Sequence, residues 1–215
     1  MKIGAVIFSY NRPNLLIEAI KPLNGWCSDY IILDDCSPYK LEGVNVVQND
    51  FRLGKEGFWM QFDKAFKWAK ESDCEYFVFM PDDFIGLDTK RIDDLINELE
   101  ETYAFNLIFD GRINQWIPLD PIFNKELDII EVGYCDGGFF CSRKVLEMLS
   151  FEMLPIDANW FSRPNKSSGI GRQLTFRMRE LNIKLYCPHK SLAYHGDHES
   201  MMNPKERLIN PLISK

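Results

Sequence analysis

Apolar positions in the first half of the chain fall in short unbroken runs, separated by polar loops and by longer stretches of helical period. Residues 2–8 are almost wholly apolar and predict a strand buried on both faces. Ser9-Tyr10-Asn11-Arg12-Pro13 breaks that run, and Asn14 is placed to cap a short helix carrying Leu15, Leu16, Ala19 and Ile20. Residues 30–33 predict a second buried strand and residues 44–48 a third. From about residue 55 to 70, Phe58, Phe62, Ala65, Phe66 and Ala69 recur on one helical face. Residues 76–80 predict a further buried strand, closed by Pro81, which cannot donate to a ladder. A helix is expected from about residue 89 to 102.

Strands alternating with helices, with polar loops after each strand, predict a mainly parallel sheet with right-handed crossovers. The second half is less regular. Residues 106–109 and 128–132 read as strands, 144–149 as a short helix, and 170–181 as an amphipathic helix. Residues 183–186 and 192–194 read as short strands, with a polar tail from His195 onward. Gly137 and Gly138 fall where backbone can approach a ligand closely. Residues 151–168 form an irregular stretch rich in Pro, Asp, Asn and aromatics, long enough to be functional or mobile.

Candidate chemistry sits at the predicted strand ends. Asp82 and Asp83 follow Pro81, where open α/β sheets bind ligands. Adjacent carboxylates repel unless a cation or a shared proton intervenes, and Mg2+ or Mn2+ suits such oxygen ligands and often also holds substrate phosphates. Ordinary turn chemistry accounts for Pro-Asp-Asp equally well. A second pair, Asp34-Asp35, ends the second strand and fits either ligand binding or turn and cap work. Arg52 and Lys55 fit phosphate neutralisation or plain exposure. Two of the three histidines, His195 and His198, share one polar stretch and are candidate metal ligands, whereas His189 reads as a surface turn residue.

A chain of 215 residues with 46% hydrophobic composition supports one substantial core. A net charge of −7 argues against a nucleic-acid surface, and Arg172, Arg177 and Arg179 read as a solvated helix face. No run is long enough to span a bilayer. None of the six cysteines forms a C-x-x-C pair or a zinc-like spacing. With no signal peptide, reduced thiols and a cytoplasmic location are expected, and the Asn165-Lys-Ser167 sequon carries no weight there.

The order of these motifs resembles the GT-A-fold glycosyltransferases, family 2 type, from Lys2 to about His198. Ile7 to Arg12 looks like the nucleotide-holding strand and loop, and Ile32-Leu-Asp34-Asp35-Cys-Ser37 like V-D-D-G-S. Arg52-Leu-Gly54-Lys55 resembles N-x-G, and Met80-Pro-Asp82-Asp83 the x-D-D variant of the metal-binding D-x-D. Gly137-Gly138 with Arg143 resembles the G-G-x-x-x-x-R stretch beside the acceptor, and Tyr194-His195 the late metal-binding histidine. Small capsid-modifying glycosyltransferases of algae-infecting viruses are similar in length and motif set, which would place the chain in host cytoplasm.

The resemblance implies one GT-A domain with a mixed, mainly parallel sheet flanked by helices. Residues 1–103 would bind the nucleotide-sugar, 104–198 the acceptor, and 199–215 form a tail. It implies an inverting, metal-dependent transfer from a UDP-sugar to a hydroxyl of a glycan or glycoprotein. Asp83 would ligate Mn2+ or Mg2+ directly and Asp82 would hold the ribose or a metal-bound water, or the two in reverse order, and His195 or His198 would complete the set. Ser9, Tyr10 and Arg12 would flank the nucleotide, Asp34 or Asp35 would read uracil, and Gly137 and Gly138 would approach donor sugar. Trp116, Trp160 and Phe161 are candidates to stack on sugar, with Trp160 in the irregular stretch preferred and core packing the competing role for Trp116.

One departure matters. Where the family carries an acidic pair, this chain has Ser168-Gly169-Ile170-Gly171. The general base must then come from elsewhere. Asp157, flanked by Pro155 and Trp160, is preferred over Asp136, with loop capping as the competing role. A binding module that has lost its base is the non-enzyme alternative. A sugar-nucleotide pyrophosphorylase would want a glycine-rich basic loop after strand one, which Ser9-Tyr10-Asn11-Arg12 is not.

Overall fold

β1 (Ile3–Ser9) is buried at every position, as its unbroken apolar run requires of a strand with neighbours on both edges and layers on both faces. It runs parallel to β2 (Asp29–Asp34) on one side and to β4 (Tyr76–Pro81) on the other. β3 (Val46–Gln48) extends the parallel half beyond β2. The computed structural model describes residues 1–40, 45–99, 101–109, 123–156 and 169–196.

Beyond β4 the sheet turns mixed. β9 (Phe139–Ser142) lies antiparallel between β4 and β6 (Tyr103–Asn106). β10 (Lys184–Pro188) is parallel to β6, β8 (Ile129–Glu131) antiparallel to β10, and β7 (Phe123–Asn124) antiparallel to β8. Among the described residues the sheet has nine strands, in the order 3-2-1-4-9-6-10-8-7. A separate two-stranded ladder joins β5 (Phe84–Ile85) to β11 (Tyr194–His195).

The alternation along β1 sorts the core into two layers. Ile3, Ala5 and Ile7 pack with Leu16 and Ala19 of α1 (Pro13–Ile20) and Ile92, Leu95 and Ile96 of α3 (Thr89–Glu98). Val6 and Phe8 face the other way, toward Phe62, Ala65 and Phe66 of α2 (Phe58–Glu71). α4 (Arg143–Met148) and α5 (Ile170–Glu180) bury Val145, Leu146, Leu174 and Met178 in that second layer. Phe62 is its hub, with ring centroids 4.4 Å from Phe8, 5.3 Å from Phe58 and 6.3 Å from Phe79. Truncating such a buried ring typically costs about 3–5 kcal/mol.

Several expected boundaries move, each for a local reason. The first helix starts at Pro13 with Arg12 at the cap position, not under an Asn14 cap, because proline's fixed φ suits the first turn. The second starts at Phe58 rather than near Lys55, since Gly57 sits in a tight turn where an added Cβ would lie 2.8 Å from Leu53. The third ends at Glu98, and the strand expected at 106–109 is β6, three residues earlier. β9 was not expected, its residues following the stretch singled out only for Gly137 and Gly138, and the first residue of the expected polar tail, His195, belongs to β11.

Arg143 is a correction of another kind. Expected beside an acceptor, it stands at the opposite end of the sheet from Asp82, next to the Tyr76↔Ser142 pair. Its Nε donates to the Cys74 carbonyl (2.9 Å) and its Nη2 to the carbonyls of Ala69 (2.9 Å) and Ser72. It therefore satisfies orphan acceptors at the C-terminal end of α2, where a cation also complements the helix dipole. Arg143→Ala should lower unfolding free energy by about 1–3 kcal/mol, measured by urea denaturation, while leaving nucleotide binding unchanged.

Candidate functional site

β1 has β2 on one edge and β4 on the other, so the chain reverses its direction of spread at β1. Such a switch point opens a crevice at the carboxyl ends of the strands. Ser9 and Tyr10 leave β1 there, Asp34 and Asp35 leave β2, and Asp82 and Asp83 leave β4. Backbone bonds lock these ends together: Asp35 N donates to Ser9 O (2.9 Å) and Asp82 N to Phe8 O (2.9 Å). Asp35 and Asp83 therefore share one edge of the sheet, as the metal–diphosphate reading needs.

Asp82 and Asp83 are 0% and 1% exposed. Asp82 Oδ2 accepts from Ser9 Oγ (3.0 Å) and from the Tyr10 backbone N–H (3.2 Å). Arg12 spans the pair, donating from Nη2 to Asp82 Oδ1 and from Nη1 to Asp83 Oδ2 (3.0 Å). Sequence reasoning put Arg12 beside the nucleotide; the structure puts its guanidinium on the two carboxylates. Burial opposes the charge on Arg12, but the two carboxylates hold its pKa above the usual value. Burial also pushes the Asp82 carboxyl up to about 6, with Arg12 pulling it back and Asp83 adding repulsion.

His195 approaches from the far side. Gly196 N donates to Asp83 O (2.8 Å), and β11 pairs Tyr194↔Ile85 and His195↔Phe84. Its ring stands edge-on to Phe84 at 4.7 Å. Nδ1 lies 3.9 Å from Asp83 Oδ2, is buried, and has no hydrogen-bond partner among the described residues. That gap is too long for a hydrogen bond and short enough for a shared ion. Among the described residues no ready-made cluster of three or more acid, histidine or cysteine ligands converges. Mg2+-type ions need none, because they commonly use one or two carboxylates, waters and substrate phosphates. Asp83, Asp82 and His195 thus fit an ion that a substrate completes.

The glycines belong to this region. Continuing the Phe79↔Phe139 register places Gly137 and Asp136 beside the end of β4. A Cβ on Gly138 would lie 2.4 Å from the Phe84 ring, so the bare backbone is what lets Phe84 sit against His195. Gly137 takes φ 81°, a left-handed conformation. Asp136 is half-buried, and its N–H donates to Asn106 Oδ1 (3.0 Å).

The second aspartate pair is occupied differently. Asp34 is fully buried and accepts from Ser37 N (2.7 Å), Ser37 Oγ (2.6 Å) and Gln48 Nε2 (3.1 Å). It closes its own turn. Asp35 is half-buried and accepts from Leu53 N (2.7 Å) and Gly54 N (2.8 Å), shaping the loop that carries Arg52. Arg52 lies over the Tyr10 ring at 4.1 Å, and Lys55 is half-buried nearby in sequence. His189 is exposed, stacked on Phe109. All six cysteines are free thiols. Asp157, His198, Trp116, Trp160 and Phe161 lie outside the described residues.

Sequence reasoning missed the Ser9 hydroxyl and the Arg12 bridge. Two adjacent acids at the end of a buried strand demand a cation, and Arg12 was the basic residue in the neighbouring strand-end loop.

No protein-family model and no curated protein matches the sequence. Solved structures do match. S. aureus TarS residues 1–349 aligns over 92% of this chain and 61% of that one, with TM-score 0.57 and 14% identity. A longer S. aureus TarS structure gives TM-score 0.60 at 13% identity over 91% and 36%. Glucosyl-3-phosphoglycerate synthase from Mycobacterium tuberculosis, in complex with Mn2+, UDP-glucose and phosphoglyceric acid, gives 0.51 at 18% identity over 92% and 72%. The chain thus spans about three-fifths of the shorter TarS structure and about a third of the longer one. At these identities the likeness is one of fold: the chain has the GT-A fold, a mixed central sheet flanked by helices.

The pKa of Asp82 has a consequence in the metal-free protein. A carboxyl raised from 3.8 to about 6 binds more protons folded than unfolded between those values. Its contribution to stability is full below about pH 4 and is lost as pH rises through about 6, by about 3 kcal/mol at most. Urea unfolding of wild type and Asp82→Asn between pH 4 and 7 should show this loss in wild type only.

Proposed function

We propose that this chain is a metal-dependent, inverting glycosyltransferase that moves a sugar from a UDP-sugar to a hydroxyl of a glycan or glycoprotein. The observation that carries the reading is the convergence of Ser9, Tyr10, Asp82, Asp83 and His195 at the switch-point crevice between β1 and β4. The synthase of like fold, whose structure holds Mn2+ and UDP-glucose, supports the choice of donor and ion.

Asp83 and His195, with Asp82 behind them, would hold Mn2+ or Mg2+. When bound, the ion stabilises the negative charge that builds on the departing diphosphate. The protein's own groups do the rest. Asp82, fixed by Ser9 and Tyr10, orients the ion-binding edge. Asp35 reads uracil in this proposal, since Asp34 is buried and committed to Ser37 and Gln48. Arg52 and Lys55, on or beside the loop that Asp35 shapes, neutralise phosphate. Gly137 and Gly138 let the backbone approach the donor sugar, and Asp136 or Asp157 takes the acceptor proton.

Calorimetry should show UDP binding that weakens about tenfold or more, or about 1.4 kcal/mol, on adding EDTA. Asp83→Ala should reproduce that loss. Full-strength binding in EDTA would remove Asp83 from the role of ligand. The base is tested separately. Asp157→Asn should keep UDP and metal affinity while transfer falls by roughly 10²–10⁴. If Asp136→Asn shows that pattern instead, the proton acceptor is Asp136.

A further inference from the structure

The geometry points to Arg12 as an exchangeable counter-cation: it holds the Asp82–Asp83 pair until the donor's divalent ion arrives, then leaves the carboxylates for the diphosphate. This rests on the metal–nucleotide reading above and adds to it an order of events.

Three observations carry it. Arg12 makes both of its carboxylate bonds from Nη1 and Nη2, and its Nε has no hydrogen-bond partner among the described residues. The fork is therefore held by the acid pair rather than by a surrounding network. Second, the oxygens it uses are the ones an ion needs. Asp82 Oδ2 is already taken by Ser9 and Tyr10, and of the other carboxylate oxygens Arg12 bonds one on each residue, Asp82 Oδ1 and Asp83 Oδ2. Asp83 Oδ2 is also the atom 3.9 Å from His195 Nδ1. A guanidinium and a divalent ion cannot share those lone pairs, and their like charges repel at such separations.

Third, Arg12 has somewhere to go. It stands at the N-cap position of α1, in the loop after β1, and its side chain is 16% exposed. Its backbone is anchored there by the bond from Leu16 N to Arg12 O (3.0 Å), so only the side chain has to move. A rigid fork of donors suits phosphate oxygens as well as carboxylates. In the resting state one positive charge sits against two buried negative ones, which keeps the carboxylates apart in their binding geometry but leaves net negative charge to attract an ion. With ion and nucleotide present, Arg12 neutralises charge on the diphosphate instead.

The test measures Mn2+ binding by electron paramagnetic resonance of the free ion, at pH 8, on full-length chain without nucleotide. Arg12→Gln should bind Mn2+ about tenfold or more tightly than wild type, because a competing cation is gone. The same variant should bind UDP about tenfold more weakly at saturating Mn2+, because a phosphate partner is gone. Unchanged Mn2+ affinity in Arg12→Gln, with normal Mn2+-dependent UDP binding in wild type, overturns the exchange and leaves the proposed function standing. Absence of Mn2+ binding in both proteins, with and without UDP, overturns both. A wild-type measurement guards against a variant that fails to fold. In protein labelled with 15N-arginine, the Arg12 side-chain resonance should shift when Mg2+ and UDP are added together. A resonance that stays in place while the ligands bind overturns the exchange.

Discussion

Two adjacent carboxylates with almost no solvent access are the constraint around which this molecule is arranged. Asp82 and Asp83 follow directly from the central parallel strand, and burying both charges would be prohibitive without compensation. The compensation comes from two directions: Ser9 and Tyr10 from the end of β1, and Arg12 from the loop that opens α1, while His195 approaches Asp83 from β11 without a hydrogen bond. None of these groups is near the pair in sequence. The sheet order is what brings them together, because β1 separates the strands that spread in opposite directions.

The second half of the chain supports this edge by close approach rather than by charge. β9 enters antiparallel beside β4, so that its leading residues, Asp136 to Gly138, come level with the end of β4. Gly138 leaves room for Phe84, and Phe84 in turn backs the His195 ring. An alanine at 138 would push on Phe84 and so on the histidine behind it. A residue with no functional group of its own thus helps set the distance between Asp83 and His195.

The parallel half of the fold was legible because its signals are local. Residues 3–8, 30–33 and 76–80 form short apolar runs, and the helix from Phe58 repeats its apolar face over four turns. The strand-end acids were legible for the same reason. What escaped were features defined by partners distant in sequence. β9 went unassigned, since its four residues become a strand only between β4 and β6. Arg143 matched a motif by spacing alone, yet its carbonyl partners are 69 to 74 residues away at the end of α2. Asp34 and Asp35 looked equivalent in sequence, but the turn around Ser37 buries one and the loop at Leu53 half-exposes the other.

The glycines that stand where the resemblance implies an acidic pair have a structural cause. Gly169 takes φ 78°, a left-handed conformation that residues with a Cβ rarely adopt. A Cβ on Gly171 would lie 2.2 Å from the Cys135 carbonyl oxygen and 2.7 Å from the Tyr134 hydroxyl. The first turn of α5 is therefore packed directly on the segment that leads into Asp136 and Gly137. An acid at this corner would have to force the helix off the strand-end loop and disturb the glycines beside the end of β4. The close packing that positions Asp136 at the crevice is thus the same packing that excludes a carboxylate from the start of α5. A base, if this crevice transfers sugar, has to come from the loops around it rather than from that helix.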